Sequence, residues 1–594
     1  MPGIVGIMGE GSNPERGLAL EQMLRCILHE PFYRSGVYIN DQLGVWLGWT
    51  CHEGSFADCH PVVNERGDIV LLFSGEHFAD GCESARDLVS LYERHGLQFL
   101  EQLNGWFSGV LLDLREQKAV LFNDRYGLGR VYYAQLQNCF WFSSEAKSLL
   151  KVLPEARQLN LQSLGEAISC GCVLQNRSLF SSISLLPGGS AWTLARGRLV
   201  HRGTYFRPDA WECQPTADGG EFTRKLQSTF SRILPRYLRG RQRIGVSLTG
   251  GLDGRLIMAW APNAPGTLPC YTFGGEYRDC ADVKVARTVA KACQQSHQVL
   301  PVGRGFCREF WTLAEKAVYI SDGTMDVTGS VELYANMLAR HVAPVRLTGN
   351  YGSEILRGNV AFKPERRRCE AFAPEIHDLV QAACTTYAEE AKCHPLTFIA
   401  FKQVPWHHYS RLSVEQSQLT MRAPYLDNDL VALMYQAPPA LVVSKRPCLQ
   451  LIAEGNPLLS RIPTDRGLGC RRVTWVPNVR HLFAEFTFKA EYAYDYGMPQ
   501  WLAAMDGCLR ALHLERIFLG RHKFYHFRIW YRDDLVQTVR DILLDPRTQR
   551  RPYLRGAQLE KLIKAHASGY QNHTADIHVL LTVELIQRKL LEDN

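Results

Sequence analysis

Ser247, Leu248, Thr249, Gly250, Gly251, Leu252, Asp253, Gly254 and Arg255 carry the clearest chemistry in the sequence. Alternating Ile244, Val246 and Leu248 predict a strand before this run, and a helix-like Leu256 to Trp260 follows it. Glycines between a strand and a helix let backbone N–H groups come close to an anion, and the helix N-terminus adds a favourable partial charge. In such a turn Thr249 offers a hydroxyl to phosphate and Asp253 offers a carboxylate to a magnesium ion. Taken alone, the run reads equally as an ordinary glycine turn capped by Asp253. It is not a Walker loop, because G-x-x-x-x-G-K-[ST] is absent.

The elements that must position this turn follow from the hydrophobic period. After the first strand come a second at Cys270 to Phe273, a helix from Ala281 to Cys293, a third strand at Gln298 to Val302 and a fourth at Pro344 to Thr348. Strands alternating with helices predict a parallel sheet, whose ligands lie at the carboxyl ends of the strands. Residues 1 to about 205 read differently, as short strands between turns: Gly3 to Met8, Val45 to Trp49, Ile69 to Ser74, Gly109 to Asp113 and Cys139 to Ser143. Beyond residue 400 the pattern is mostly helical. Asp322, before Gly323 near the sheet's carboxyl edge, reads as a turn aspartate or as a residue facing the ligand.

Composition narrows the class. The 594 residues are 46% hydrophobic and 21% charged, as in a soluble multidomain enzyme, and a net charge of +7 on so long a chain leaves no nucleic-acid footprint. The arginines at 232, 236, 239, 241 and 243 and at 366 to 368 are expected on solvated faces or at an anionic ligand. Among 18 cysteines no C-x-x-C pair occurs, so neither a zinc site nor a disulfide framework is predicted. No leader and no run of 18 apolar residues is visible, and the expected setting is a reducing cytoplasm, with no membrane and no nucleic-acid partner.

The loop resembles the S-G-G-x-D-S motif of ATP pyrophosphatases, with Thr249 for the first serine and Gly254 for the last. Further matches follow in the order of the asparagine synthetase family. Tyr271, Thr272 and Phe273 fall where the family's second strand borders adenine, and Asp282, Ala286 and Ala290 resemble the helix after it. Leu347 to Glu354 resembles L-S-G-E-G-x-D-E, and Arg422 to Asp427 resembles R-x-P-F-L-D. In the N-terminal part Asp124 to Gly127, Tyr132 with Tyr133, Ser143 to Lys147, and Ser74, Gly75 and Glu76 resemble R-D-R-x-G, L-Y-Y, S-E-x-K and N-G-E.

The resemblance implies an Ntn-hydrolase-like αββα sandwich over residues 1–205, glutaminase-like. It further implies a parallel-sheet ATP pyrophosphatase (adenine nucleotide alpha hydrolase-like) domain over 220–475, and a mostly helical extension over 476–594. A glutaminase of this class needs a cysteine at position 2, where this chain has Pro2. Ser74 stands for the oxyanion-hole asparagine, Asn104 for the aspartate that grips the glutamine amine, and no arginine lies between Asn40 and Asn64 to hold its carboxylate. Pro2, Ser74, Gly75, Glu76 and Asn104 therefore form a degenerate pocket, and glutamine hydrolysis is expected to be absent.

For the second half the resemblance implies ATP and Mg²⁺. Leu248, Thr249, Gly250, Gly251, Asp253, Thr272, Phe273 and Gly349 would hold ATP and pyrophosphate, with Asp253 as metal ligand. Asp253, Glu354 and Arg466 would carry catalysis, Arg466 taking the charge role of the family's lysine. Asn350 and Ser353 replace two of the family's acidic residues. The expected activity is adenylation of a carboxylate, aspartate by default, followed by attack of ammonia or a substrate amine. The rivals are a lactam- or macrolactam-forming relative and a non-catalytic nucleotide-binding scaffold. A homodimer and a separate nitrogen-donor or biosynthetic partner both stay open.

Overall fold

The computed structural model describes residues 2–592 apart from 11–13, 59, 263, 367, 466–474 and 509–512. Two six-stranded sheets lie in the N-terminal part. In spatial order the first runs Ser184–Leu185, Tyr132–Leu136, Cys139–Ser143, Gly3–Gly9, Val45–His52 and Tyr33–Asn40. The second runs Arg198–Thr204, Ser190–Ala195, Lys118–Asn123, Gly105–Asp113, Ile69–His77 and Val62–Val63.

Alternation along the strands builds the layers. Ile4 and Met8 point into a core shared with Val70, Leu72, Val110 and Leu112 of the other sheet. Val5 and Ile7 point the opposite way, onto Leu20 and Met23 of helix Pro14–Ile27. Ile69, Leu71 and Phe73 bury the outer face of the second sheet under Leu88 and Tyr92 of helix Ala85–His95. The result is helix, sheet, sheet, helix.

The third sheet is five-stranded and parallel, in the order His297–Val302, Cys270–Gly275, Ile244–Ser247, Val345–Thr348, Thr420–Arg422. Its first strand in the chain, Ile244–Ser247, sits between the second and the fourth. The direction of winding therefore reverses between Ile244–Ser247 and Val345–Thr348, which is where an open parallel sheet leaves a crevice for a ligand. Helix Gly219–Tyr237 leads into this sheet and is capped by Asp218, whose carboxylate accepts from Gly220 and Glu221 N–H at 2.9 and 3.3 Å.

After residue 475 the described chain is helical, including Trp475–Tyr492, Val536–Leu543, Gly556–Ala567 and Thr574–Ile586. No described helix is long and apolar enough to cross a membrane. Asp322 is not at the ligand crevice. It is buried and accepts from the backbone N–H of Ala146 and Lys147 at 2.7 and 3.0 Å, while Lys147 Nζ lies at 3.1 Å. Three arginines of the first run form ion pairs: Arg232 to Asp429 at 2.8 Å, Arg236 to Asp80 at 2.7 Å and Arg239 to Asp80 at 3.0 Å.

Candidate functional site

Two turns face each other across the reversal point. Residues 248–252 follow the strand Ile244–Ser247 and open helix Asp253–Trp260, while residues 349–351 follow Val345–Thr348 and open helix Gly352–Arg357. Their approach is close enough to require glycine: a Cβ on Gly349 would lie 2.6 Å from Gly254 N, and one on Gly352 2.6 Å from Asp253 Cγ. Tyr351, buried and at φ 70, holds a left-handed conformation that costs a non-glycine residue energy. Its ring meets His408 edge-on at 5.5 Å.

The turns border a cavity of about 450 Å³. Of the residues singled out in the sequence, Leu248, Thr249, Gly251, Asp253, Thr272, Phe273, Gly349 and Glu354 line it. Gly250 is beside it, with its N–H donating to Asp282 Oδ1 at 2.7 Å, so one loop donor already has a carboxylate partner. Thr272 Oγ1 donates to Leu248 O at 2.8 Å and fixes the strand-to-turn exit. Arg466 lies outside the described residues. Asp465, just before it, lies against the loop, its N–H donating to Gly250 O at 3.3 Å.

Asp253 is not free to receive a cation. Arg357 Nη1 and Nη2 donate to its two carboxylate oxygens at 2.7 and 2.9 Å, a bidentate fork on a largely buried pair. Burial pushes the Asp253 carboxyl up, Arg357 pulls it back, and Glu354 pushes it up further. Glu354 is held by Ser353, whose hydroxyl donates to Oε2 at 2.8 Å. No group of three or more His, Cys, Asp or Glu that could hold a metal occurs among the described residues. As arranged, Asp253 does not fit the role of magnesium ligand expected from the sequence. A guanidinium occupies both coordinating oxygens, and sequence reasoning did not single out Arg357.

Other wall residues also escaped the sequence reading. Glu332, Arg346, Arg411 and Glu415 form a chain of charges in which the first, second and fourth are buried and Arg411 is half-exposed: Arg411 Nη2 to Glu332 Oε1 at 2.7 Å, Arg411 Nε to Glu415 Oε1 at 3.4 Å, and Arg346 Nη1 to Glu415 Oε1 at 3.2 Å. Tyr492, His522, Lys523, Phe524 and Tyr525 close the cavity from the C-terminal helical part, Phe524 standing 5.8 Å from Phe273 ring to ring. These come from four distant stretches of chain, so no local motif announces them.

The N-terminal pocket is a contrast. Pro2, Ser74, Gly75 and Glu76 line a cavity of only about 60 Å³, far below the roughly 300 Å³ at which ligand pockets begin. Glu76 is tied to Arg422, whose Nε and Nη2 donate to Oε2 at 2.9 and 2.6 Å. Asn104 is outside this lining. Its Nδ2 donates to Asp427 Oδ2 at 2.8 Å and its Oδ1 accepts from Asn428 N–H at 3.0 Å. The positions expected to grip glutamine instead grip the Arg422–Asp427 segment of the second half.

A five-stranded parallel sheet with a glycine-turn cavity at its reversal point, joined to a two-sheet sandwich, defines an α/β protein with an amidotransferase-type N-terminal part. Residues 1–206 match the family described as glutamine amidotransferase domain, and residues 225–449 the family described as asparagine synthase. Among curated proteins, the chain is 22% identical over 276 residues to asparagine synthetase (glutamine-hydrolyzing) 1 of Bacillus subtilis (strain 168), covering 46% of this chain and 42% of that protein. It is 30% identical over 291 residues to the Zea mays asparagine synthetase (glutamine-hydrolyzing), covering 42% and 44%. It is 24% identical over 367 residues to that of Mus musculus, covering 57% and 61%. The chain belongs to the asparagine synthetase family. It spans about half the length of the curated relatives it matches.

Proposed function

We propose that this chain is an ATP-dependent amide ligase that adenylates a carboxylate, releases pyrophosphate and takes its nitrogen from ammonia or a substrate amine instead of glutamine. The observation that carries the reading is the inequality of the two cavities. One of about 450 Å³ lies on the reversal point of the sheet, whereas the N-terminal one, of about 60 Å³, has Pro2 where a nucleophile is needed.

In this reading the turn at 249–252 and the N-terminus of helix Asp253–Trp260 take the phosphates, with backbone N–H groups fixed in place before the substrate arrives. Phe273 and Phe524 offer apolar faces for the base. A carboxylate oxygen attacks the α-phosphorus and pyrophosphate departs; an amine nitrogen then attacks the acyl carbon and AMP departs. The chain's contribution is to place the acid in line and to exclude water from the adenylate. No step is assigned to magnesium, because Arg357 occupies the Asp253 carboxylate.

That same pair favours a second reading, a nucleotide-binding scaffold without catalysis. A third, ring closure within one substrate as in lactam- or macrolactam-forming relatives, is favoured by the small N-terminal pocket, since an internal amine needs no ammonia delivery.

The test is incubation with ATP and a panel of carboxylic acids beginning with aspartate, with ¹⁵N-ammonium or amide-¹⁵N-glutamine as nitrogen source, and mass analysis of products. Label from ammonium but not from glutamine is expected. Label from glutamine overturns the account of the N-terminal part.

A further inference from the structure

We propose that a further cavity, at the junction of the two halves, is a binding site for a planar organic phosphate monoester. The site lies outside the adenylation reading and does not depend on it.

This cavity measures about 610 Å³, above the roughly 300 Å³ at which ligand pockets begin, and it shares no lining residue with the N-terminal pocket or the nucleotide cavity. Part of its wall is the turn after strand Lys118–Asn123. Buried Asp124 shapes that turn by accepting from Tyr126 and Leu128 N–H at 2.9 and 3.2 Å, and Arg125 and Arg130, on either side of it, both line the cavity. Another part is the π-helix Ile399–His408, which contributes Phe401, Lys402, Pro405 and Trp406. Helices of this pitch are rare and frequently mark functional sites. Its last residue, His408, lines the nucleotide cavity, so one element borders both spaces.

The lining carries four basic side chains and one carboxylate. Lys402 is paired with Glu390 at 2.7 Å, and Arg177 with Glu166 outside the lining. Arg125 and Arg130 form no ion pair among the described residues. Arg130 is only 6% exposed, and its bonds go to neutral oxygens, Tyr132 Oη at 3.3 Å and the carbonyl of Pro405. Its guanidinium lies 3.5 Å from the centre of the Tyr409 ring, and that of Arg125 lies 4.5 Å from the centre of Phe206. Ring faces soften these charges without cancelling them. A buried charge with no counter-charge is costly, so the pair calls for an anion. A phosphate monoester, close to a dianion at neutral pH, matches two guanidiniums and accepts their forked donors.

The rest of the lining suits a flat ring. Phe401, half-buried, stacks on Tyr126 with ring centres 5.2 Å apart, and Trp406, also half-buried, makes no ring contact among the described residues. Aromatic walls beside two arginines favour an anion attached to a ring over a bare inorganic ion, which would leave most of the volume empty.

The test is calorimetric titration of the full chain, without nucleotide, with 1-naphthyl phosphate, 1-naphthol and inorganic phosphate. The phosphate ester should bind about ten-fold tighter than either of the other two. Arg125→Gln should bring it down to the level of 1-naphthol, and Asn176→Trp, a change at an exposed position of the lining, should weaken it about five-fold by filling the mouth. Equal binding of the three compounds, no binding of the ester, or an ester preference that survives in folded Arg125→Gln overturns the proposal. If Arg125→Gln does not fold, unchanged binding to Asn176→Trp overturns it.

Discussion

Arg357 holds both carboxylate oxygens of Asp253, Nη1 to Oδ1 at 2.7 Å and Nη2 to Oδ2 at 2.9 Å, at the mouth of the glycine turn. The aspartate expected to bind a cation therefore already has one, fixed covalently to the chain. Removing one member of such a buried pair strands the other charge, at a cost of about 3–5 kcal/mol. Arg357→Ala should lower the melting temperature in metal-free buffer, and millimolar magnesium should restore part of the loss by taking the vacated carboxylate. The double variant Asp253→Ala/Arg357→Ala should ignore magnesium. A single variant that melts like the wild type would mean that the pair is not formed in solution.

The N-terminal pocket residue Glu76 meets the second half of the chain. Arg422, 8% exposed, and Glu76, 7% exposed, meet through two bonds across the junction of the two halves. Arg422→Ala should cost about 3–5 kcal/mol, and Asn104→Ala about 1–3 kcal/mol by leaving Asp427 Oδ2 short of a donor. Urea denaturation measures both. Additive losses would show that the contacts act separately, whereas coupling is expected because Arg422 and Asp427 lie on one short segment.

Supplying a nucleophile at position 2 should not confer glutaminase activity. Pro2→Cys supplies a thiol, but the cavity in front of it measures about 60 Å³, and Glu76 remains engaged by Arg422. Glutamate released from glutamine should stay at the level of the wild type. Release in the single variant would show that the pocket opens in solution.

Acid should destabilise the fold through buried histidines. Burial pushes His52 down to about 3, and His60 and His77 each down to about 4, from the ordinary 6.5. In the fold they stay neutral, while the unfolded chain binds protons below about 6.5, so stability is complete above that pH and falls as the pH drops toward 4. Each group contributes a slope of about 1.4 kcal/mol per pH unit in that window. Urea midpoints at pH 7.5, 6 and 5 should decline in order, less steeply in His77→Gln. A flat profile would show that these imidazoles are solvated.

The sheet around the site was legible because its strands alternate and its turns hold glycine. The expected strand at Cys270 to Phe273 extends to Gly275, and the expected helix from Ala281 to Cys293 ends at Ala292. Gly109 to Asp113 proves to be the end of a longer strand, Gly105–Asp113, because Trp106 and Phe107 continue its buried faces. The cavity wall was legible only where it is local. Thr249, Asp253 and Gly349 sit in turns with recognisable spacing, whereas Glu332 and Arg411 are isolated charges on helices and become neighbours only when Gly329–Val342 packs against Tyr409–Gln416. Arg357 is the last residue of a short helix, and nothing in its surroundings distinguishes it from a surface arginine until the helix docks on Asp253.

The central claim is carboxylate activation at the glycine turn, and ATP–pyrophosphate exchange with a panel of acids tests it most directly. Labelled pyrophosphate should enter ATP only when the right acid is present. Gly250→Ala should abolish that exchange, because a Cβ there would lie 2.6 Å from Asp465 Cβ and force the loop out of place. Acid-independent exchange would contradict carboxylate activation, and no exchange with any acid while nucleotide binds would leave the protein as a nucleotide-binding scaffold.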